Sequence, residues 1–320
     1  MEQSVIDWLL EENNPSVRYR TLTELLDRKP DDPQAQEAKA QIPSSAPVRK
    51  LFARMHPDGY WLYRGKGDGV DYAMSSSTHF VLAFLAETAM DRTDERIALA
   101  VERYLSLRPP SLPDLKPWQI PPDYRYHQSC LYAYNLRTFI MLGYRDDPRV
   151  QQRADVLLGD VRRDGGYLCD RPNFRDETKS CIRGSIKALT VFAALPELWD
   201  TARCKQLVEY FLRRRVYYRM DRPEQVIRGE LTCTLFPLVI SGSLLEPLYA
   251  LSIMGYGRHP ALGAAWAQLE TKKDPQGRYL LDWSPPSYFS PGPKGQPNKW
   301  TTLYAYLALK HANQPTETRP

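Results

Sequence analysis

No apolar stretch of this 320-residue chain is long enough to cross a bilayer: the longest, Phe80 to Ala86, falls far short of the roughly 20 residues a membrane span needs. An integral membrane segment is therefore not expected. Cysteine is scarce as well. Five of them, an odd number spread along the chain, argue against a disulfide framework and leave metal binding or plain burial. The N-terminus lacks a basic leader followed by a long apolar core and a cleavage site. Met1 to Glu12 is thus expected to form an amphipathic helix, and the protein to be soluble and cytoplasmic. Charge of one sign does not dominate: 43 Lys and Arg face 38 Asp and Glu, and the basic residues are scattered apart from Arg213, Arg214 and Arg215. With no RNA or DNA motif beside them, nucleic acid is not an expected partner. A phosphate-binding G-x-x-x-x-G-K-[ST] loop is absent too.

What the chain does have is a repeat, at a spacing of about 50 to 60 residues. One recurrent element is a turn: Met55-His-Pro-Asp-Gly-Tyr-Trp61, Val161-Arg-Arg-Asp-Gly-Gly-Tyr167 and Lys273-Asp-Pro-Gln-Gly-Arg-Tyr279, about 110 residues apart. Each sets a glycine in a polar reversal with an aromatic ring behind it, the combination that lets a tight turn take positive φ and pack a ring beneath itself. A second element ends helices: Leu142-Gly-Tyr-Arg-Asp-Asp-Pro-Arg-Val150, Ile253-Met-Gly-Tyr-Gly-Arg-His-Pro-Ala261 and the looser Ala89-Met-Asp-Arg-Thr-Asp-Glu-Arg-Ile97. Here an apolar helix stops at or near Gly, and Pro can open the next one. Apolar helices are expected at 79–91, 130–143, 181–195, 243–255 and 299–311, with more polar ones following at 94–106, 148–159 and 201–215. The order is inner helix, turn, outer helix, Gly-aromatic turn. Pro-rich stretches at 108–122 and 284–297 read as irregular surface loops.

A Gly-aromatic turn before apolar helices, repeated at this spacing, resembles the repeat of the terpenoid cyclase and protein prenyltransferase superfamily, its Q-x-x-x-G-x-W motif in degenerate form. The resemblance covers residues 45–312, and nearly the whole sequence is similar to uncharacterised bacterial relatives of that superfamily. It implies an all-α fold, an α/α toroid with an inner ring of helices around a cavity and an outer ring facing water. One domain is expected over 1–320: N-terminal helices at 1–44, repeats at 45–312 and a disordered tail at 313–320. The departures are specific. No D-x-D-D run is present, and neither Asp146-Asp147 nor Asp31-Asp32 completes D-D-x-x-D. Both pairs read better as acids at helix starts.

Protein prenyltransferases, as the resemblance implies, hold zinc through an Asp-x-Cys pair and a His at inner-helix starts. In this chain Cys130 and Cys181 begin inner helices and His79 begins the preceding one, but the residues two before the cysteines are Gln128 and Lys179. A helix N-terminus favours the thiolate that zinc requires. Cys130, Cys169, Cys181 and His79 therefore form a candidate zinc set, with His127 as substitute; buried thiols and a catalytic cysteine are the alternatives. Asp71, Asp170 and Glu246 are candidate acid-base groups, Glu246 because it interrupts an apolar helix where a carboxylate must be paired or functional. Arg137, Arg183 and Lys187, on inner helices, are placed to meet an anionic substrate, and Trp61 to line the cavity. The expected function is an enzyme acting on a hydrophobic, isoprenoid-type small molecule, with zinc as Lewis acid or activator of water or thiolate. A metal-free cyclase-like catalyst that uses isolated carboxylates is one alternative. A non-catalytic binding or scaffold toroid is the other.

Overall fold

The structure, a computed structural model, describes residues 2–61, 78–106, 129–159, 161–167, 180–238, 242–284 and 290–314; the side chains of 129–132 lie outside the description. The described residues form thirteen α-helices and no strand beyond isolated bridges. No helix among them is long and apolar enough to cross a membrane.

Local chemistry explains where the helices begin. α2 (Pro15–Arg20) starts on a Pro behind Asn14, whose side chain accepts from Val17 N, and α3 (Pro33–Gln41) repeats the device with Asp32 accepting from Gln34 N and Ala35 N. Asp147 likewise accepts from Arg149 N just before α8 (Pro148–Gly159). Asp32 and Asp147 are thus helix-start acids. α1 (Gln3–Leu9) precedes this group and α4 (Ala46–Phe52) follows it. α2 runs directly into a π-helical turn, Thr21–Leu25.

Two kinds of helix alternate after that. α5 (Thr78–Glu87), α9 (Ile182–Ala193) and α11 (Leu245–Ile253) are buried on nearly every side, and α13 (Lys299–Asn313) is buried along most of its length. α6 (Glu95–Ser106) and α10 (Ala202–Arg213) bury one stripe only, as amphipathic helices over a core do. α7 (Ser129–Met141) completes the buried set, and α12 (Gly263–Glu270) the outer one. In space α5 packs on α7, α7 on α9, α9 on α11 and α11 on α13, while α6, α8, α10 and α12 each lie against the buried helix before them in the chain. α13 also packs on α1, α2 and the π turn.

The three Gly-aromatic turns share one geometry. His56 N donates to Tyr60 O at 2.7 Å, Arg162 N to Gly166 O at 2.8 Å and Asp274 N to Arg278 O at 2.9 Å, and the glycine inside each takes φ of +80 to +87°. Behind them Trp61, Tyr167 and Tyr279 are fully buried. The backbone N–H of each aromatic residue donates to a hydroxyl on or entering the following buried helix: Thr78 at 3.0 Å, Ser185 at 2.9 Å and Thr302 at 2.8 Å. The helix-ending element is also a shared structure. Tyr144 N returns to Phe139 O, Tyr256 N to Leu251 O and Met90 N to Leu85 O, the closure that places one residue in the left-handed region. That residue is Gly143, Gly255 and, in the third copy, Ala89 at φ +62°.

Candidate functional site

The spacing of three and four residues that brings helix side chains into one stripe organises the buried helices' polar groups. On α7 the stripe is Tyr134, Arg137 and Met141; on α9, Arg183, Lys187, Thr190 and Ala194; on α11, Glu246, Ala250 and Ile253. The last members of each stripe line a cavity of about 470 Å³, within the range of small-molecule sites. Arg20, Glu24 and Tyr19 from the N-terminal helices, Ala86, Ala89 and Met90 at the end of α5, and Tyr249 also face it. Small side chains make the room: Ala86, Ala89, Ala193, Ala194 and Ala250 stand where larger residues would fill the space. The cavity therefore sits at the C-terminal ends of the buried helices, whereas the sequence directs attention to their starts.

A charged cluster borders it. Glu87, with no exposed surface, accepts from Arg137 Nη1 at 2.6 Å through one oxygen and from Arg20 Nη1 at 3.1 Å and Tyr304 OH through the other. Arg20 also grips Glu24 with two bonds, at 2.6 and 2.8 Å. Tyr304 OH accepts in turn from Arg20 at 3.0 Å and Arg137 at 3.2 Å. The cluster joins α2, the π turn, α5, α7 and α13 in one network, and so links the first and last of the five buried helices. Burial opposes ionisation of Glu87, yet Arg137, Arg20 and the hydrogen bonds outweigh it and hold its carboxyl below the usual range. Burial, reinforced by Glu87, pushes the Tyr304 phenol far up, so it enters the network as a protonated donor. The Tyr249 phenol is raised to about 12, chiefly by burial.

One turn deeper lies a second charged group. Lys187 and Glu246, at 2% and 1% side-chain exposure, pair across α9 and α11, and Lys187 Nζ also donates to Leu238 O at 3.1 Å. Glu246 is therefore paired, as a buried carboxylate must be, but among the described residues its Oε2 has no hydrogen-bond partner. The remaining cation marked by the sequence, Arg183, pairs with Glu230 on the 3₁₀ turn Gly229–Thr232. All three inward cations expected to meet an anionic substrate thus already carry a carboxylate partner.

Of the other marked residues, Trp61, His79 and Cys181 are described and do not line the cavity. Trp61 is buried behind its turn, with indole Nε1 donating to Leu51 O at 2.7 Å, and does not border the cavity. His79 is buried between the rings of Phe80, Tyr104 and Tyr134, with centroids 4.4, 6.4 and 5.9 Å away. Cys181 occupies the N-cap of α9, where its carbonyl accepts from Ser185 N and Oγ, both at 2.9 Å. Among the described residues no three His, Cys, Asp or Glu side chains converge into a metal-binding group. Asp71, Cys169, Asp170 and the side chain of Cys130 lie outside the described residues. His79 and Cys181 are thus two of the four expected zinc ligands, and the side chains of the other two lie outside the described residues.

Sequence reading missed Arg20, Glu24, Glu87, Tyr134 and Tyr304. Glu87 had a signal, since it ends the most apolar helix on the stripe that Ala83 occupies one turn earlier. Arg20 and Tyr304 had none, because 284 residues separate these hydrogen-bonded partners. No protein-family model matches the chain, and no curated protein matches it.

Proposed function

We propose that the chain is an α/α toroid and an enzyme that acts on an uncharged, largely apolar small molecule of isoprenoid type, held in the cavity at the inner-helix C-terminal ends. The sequential packing of five buried helices, each backed by an outer helix, supports the toroid, and the Glu87–Tyr304 bond is the tie that a closed ring would need between its first and last members. The ligand class rests on one observation: Arg137, Arg183 and Lys187 are each neutralised by a carboxylate. A diphosphate entering this network would add charge that no unpaired inward cation among the described residues balances, next to helix ends that themselves carry negative partial charge. An uncharged chain meets no such cost. It would pack on Met90, Met141, Leu238 and Ile253, with Tyr249 and Arg137 offering hydrogen bonds to a polar end.

Titration calorimetry with farnesol and farnesyl diphosphate tests this reading. Farnesol should bind, and the diphosphate should bind at least tenfold more weakly; tighter binding of the diphosphate, or no binding of either, refutes it. Zinc enters this proposal only through His79, Cys130, Cys169 and Cys181. About one zinc per chain in tag-free protein, lost in Cys181→Ser, would support that part.

A further inference from the structure

Buried polar atoms without partners are rare because each costs about 1–3 kcal/mol in lost hydrogen bonding. Among the described residues the stripes whose later members line the cavity carry three such atoms, Tyr134 OH on α7, Arg183 Nε on α9 and Glu246 Oε2 on α11; Arg183 is part-exposed and already ion-paired with Glu230, which leaves Tyr134 and Glu246. These two residues are 8% and 1% exposed. Tyr134 stands one turn before Arg137, and Glu246 one turn before Ala250, both of which line the cavity. Lys187 holds the other Glu246 oxygen, so the unpartnered oxygen is fixed rather than able to rotate toward a different donor. Phe80, whose ring meets the Tyr134 ring edge-on at 5.4 Å, and Ala83 form with Tyr134 an apolar cluster separate from the main core. The Tyr134 ring is thus held by apolar neighbours on one side and by the His79 ring, 5.9 Å away, on another.

We infer that Tyr134 OH and Glu246 Oε2 form a hydroxyl-binding subsite, so that the molecule taken up by the toroid is an alcohol. The chemistry of the two atoms selects the group. Burial, reinforced by the Glu87 and Glu246 carboxylates, keeps the Tyr134 phenol protonated, so it is a donor in search of an acceptor. Glu246 Oε2, in a carboxylate held by Lys187, is an acceptor in search of a donor. A hydroxyl is the small uncharged group that accepts from the first and donates to the second. A carbonyl or ether would satisfy Tyr134 and leave Glu246 unpaired, an amine would bring a second cation beside Lys187, and a phosphate would face Glu246 with like charge. The inference rests on the small-molecule reading above and narrows it to one functional group.

The test uses farnesol and the hydrocarbon farnesene with the wild-type chain and Tyr134→Phe. Because the phenol has no hydrogen-bond partner among the described residues, Tyr134→Phe should melt within about 2 °C of wild type, whereas a structural role would lower the midpoint. Farnesol affinity should fall about tenfold in this variant, while farnesene affinity stays unchanged. Equal affinities of wild type and variant for farnesol, or an equal loss for both ligands, overturns the subsite while leaving the cavity reading intact. Failure of the wild type to bind either ligand overturns both. The double variant Lys187→Met with Glu246→Leu, which removes the buried pair together, should abolish the preference for farnesol over farnesene; a retained preference also counts against the subsite.

Discussion

The two buried charge clusters of the helical core differ in how completely they are satisfied. Around Glu87 both carboxylate oxygens are taken, by two guanidinium groups and a phenol drawn from three different helices. In the Lys187–Glu246 pair only two helices take part and one oxygen is left over. A network whose oxygens are all engaged ties elements together, while one with an oxygen to spare is less integrated and chemically available. The first acts as a clasp, and the second has the character of a site.

The contrast can be broken most forcefully at Glu87. Glu87→Ala leaves Arg20 and Arg137 without their shared carboxylate in a buried setting and should cost about 3–5 kcal/mol, read as a fall in the urea midpoint. Adding Arg137→Met should not restore stability, since Tyr304 OH would still lack its acceptor. Lys187→Met should be similarly damaging alone, but the double variant with Glu246→Leu should return to within about 1–2 kcal/mol of wild type or exceed it, because a two-member pair can be removed whole. Failure of this rescue would show that Lys187 and Glu246 are as tightly integrated as the clasp.

Acid sharpens the comparison further. The folded-state pKa of Glu87 lies below its ordinary value of 4.5, so its contribution to stability is complete above that value and drains away as the pH falls through the lower folded value. Melting temperature should therefore drop steeply below about pH 4, and Glu87→Gln should flatten that slope while starting from a lower plateau. The smallest effect lies at the cavity rim. Ala89 adopts φ +62° where the equivalent positions hold Gly143 and Gly255, so Ala89→Gly should stabilise by about 0.5–1 kcal/mol. Calorimetric unfolding measures it.

How much of this was written in the sequence depends on the range of the interaction. Helix positions were legible because periodicity and punctuation are local: the expected 299–311 and 148–159 correspond to Lys299–Asn313 and Pro148–Gly159. The turns were legible for the same reason, down to the aromatic residue behind each glycine. Glu246 was readable as a carboxylate needing a partner, yet its partner Lys187, 59 residues away, was read as a substrate contact. Nothing local records that Arg137 faces Glu87, 50 residues earlier, or that Arg20 from the N-terminal helices reaches the same group. Charge patterns reveal which groups must be compensated, and only the three-dimensional arrangement shows by what.

The bonds from the three turns to their helices carry a consequence for how such a chain can diversify. Each aromatic N–H is tied to a hydroxyl 17, 18 or 23 residues further on, so the segment between is anchored at both ends whatever its length. Doubling such a segment costs only about 0.6 kcal/mol in loop-closure entropy. Each turn thus fixes the point at which the chain returns to a buried helix, and Thr78, Ser185 and Thr302 are the positions at which that frame can be loosened one junction at a time.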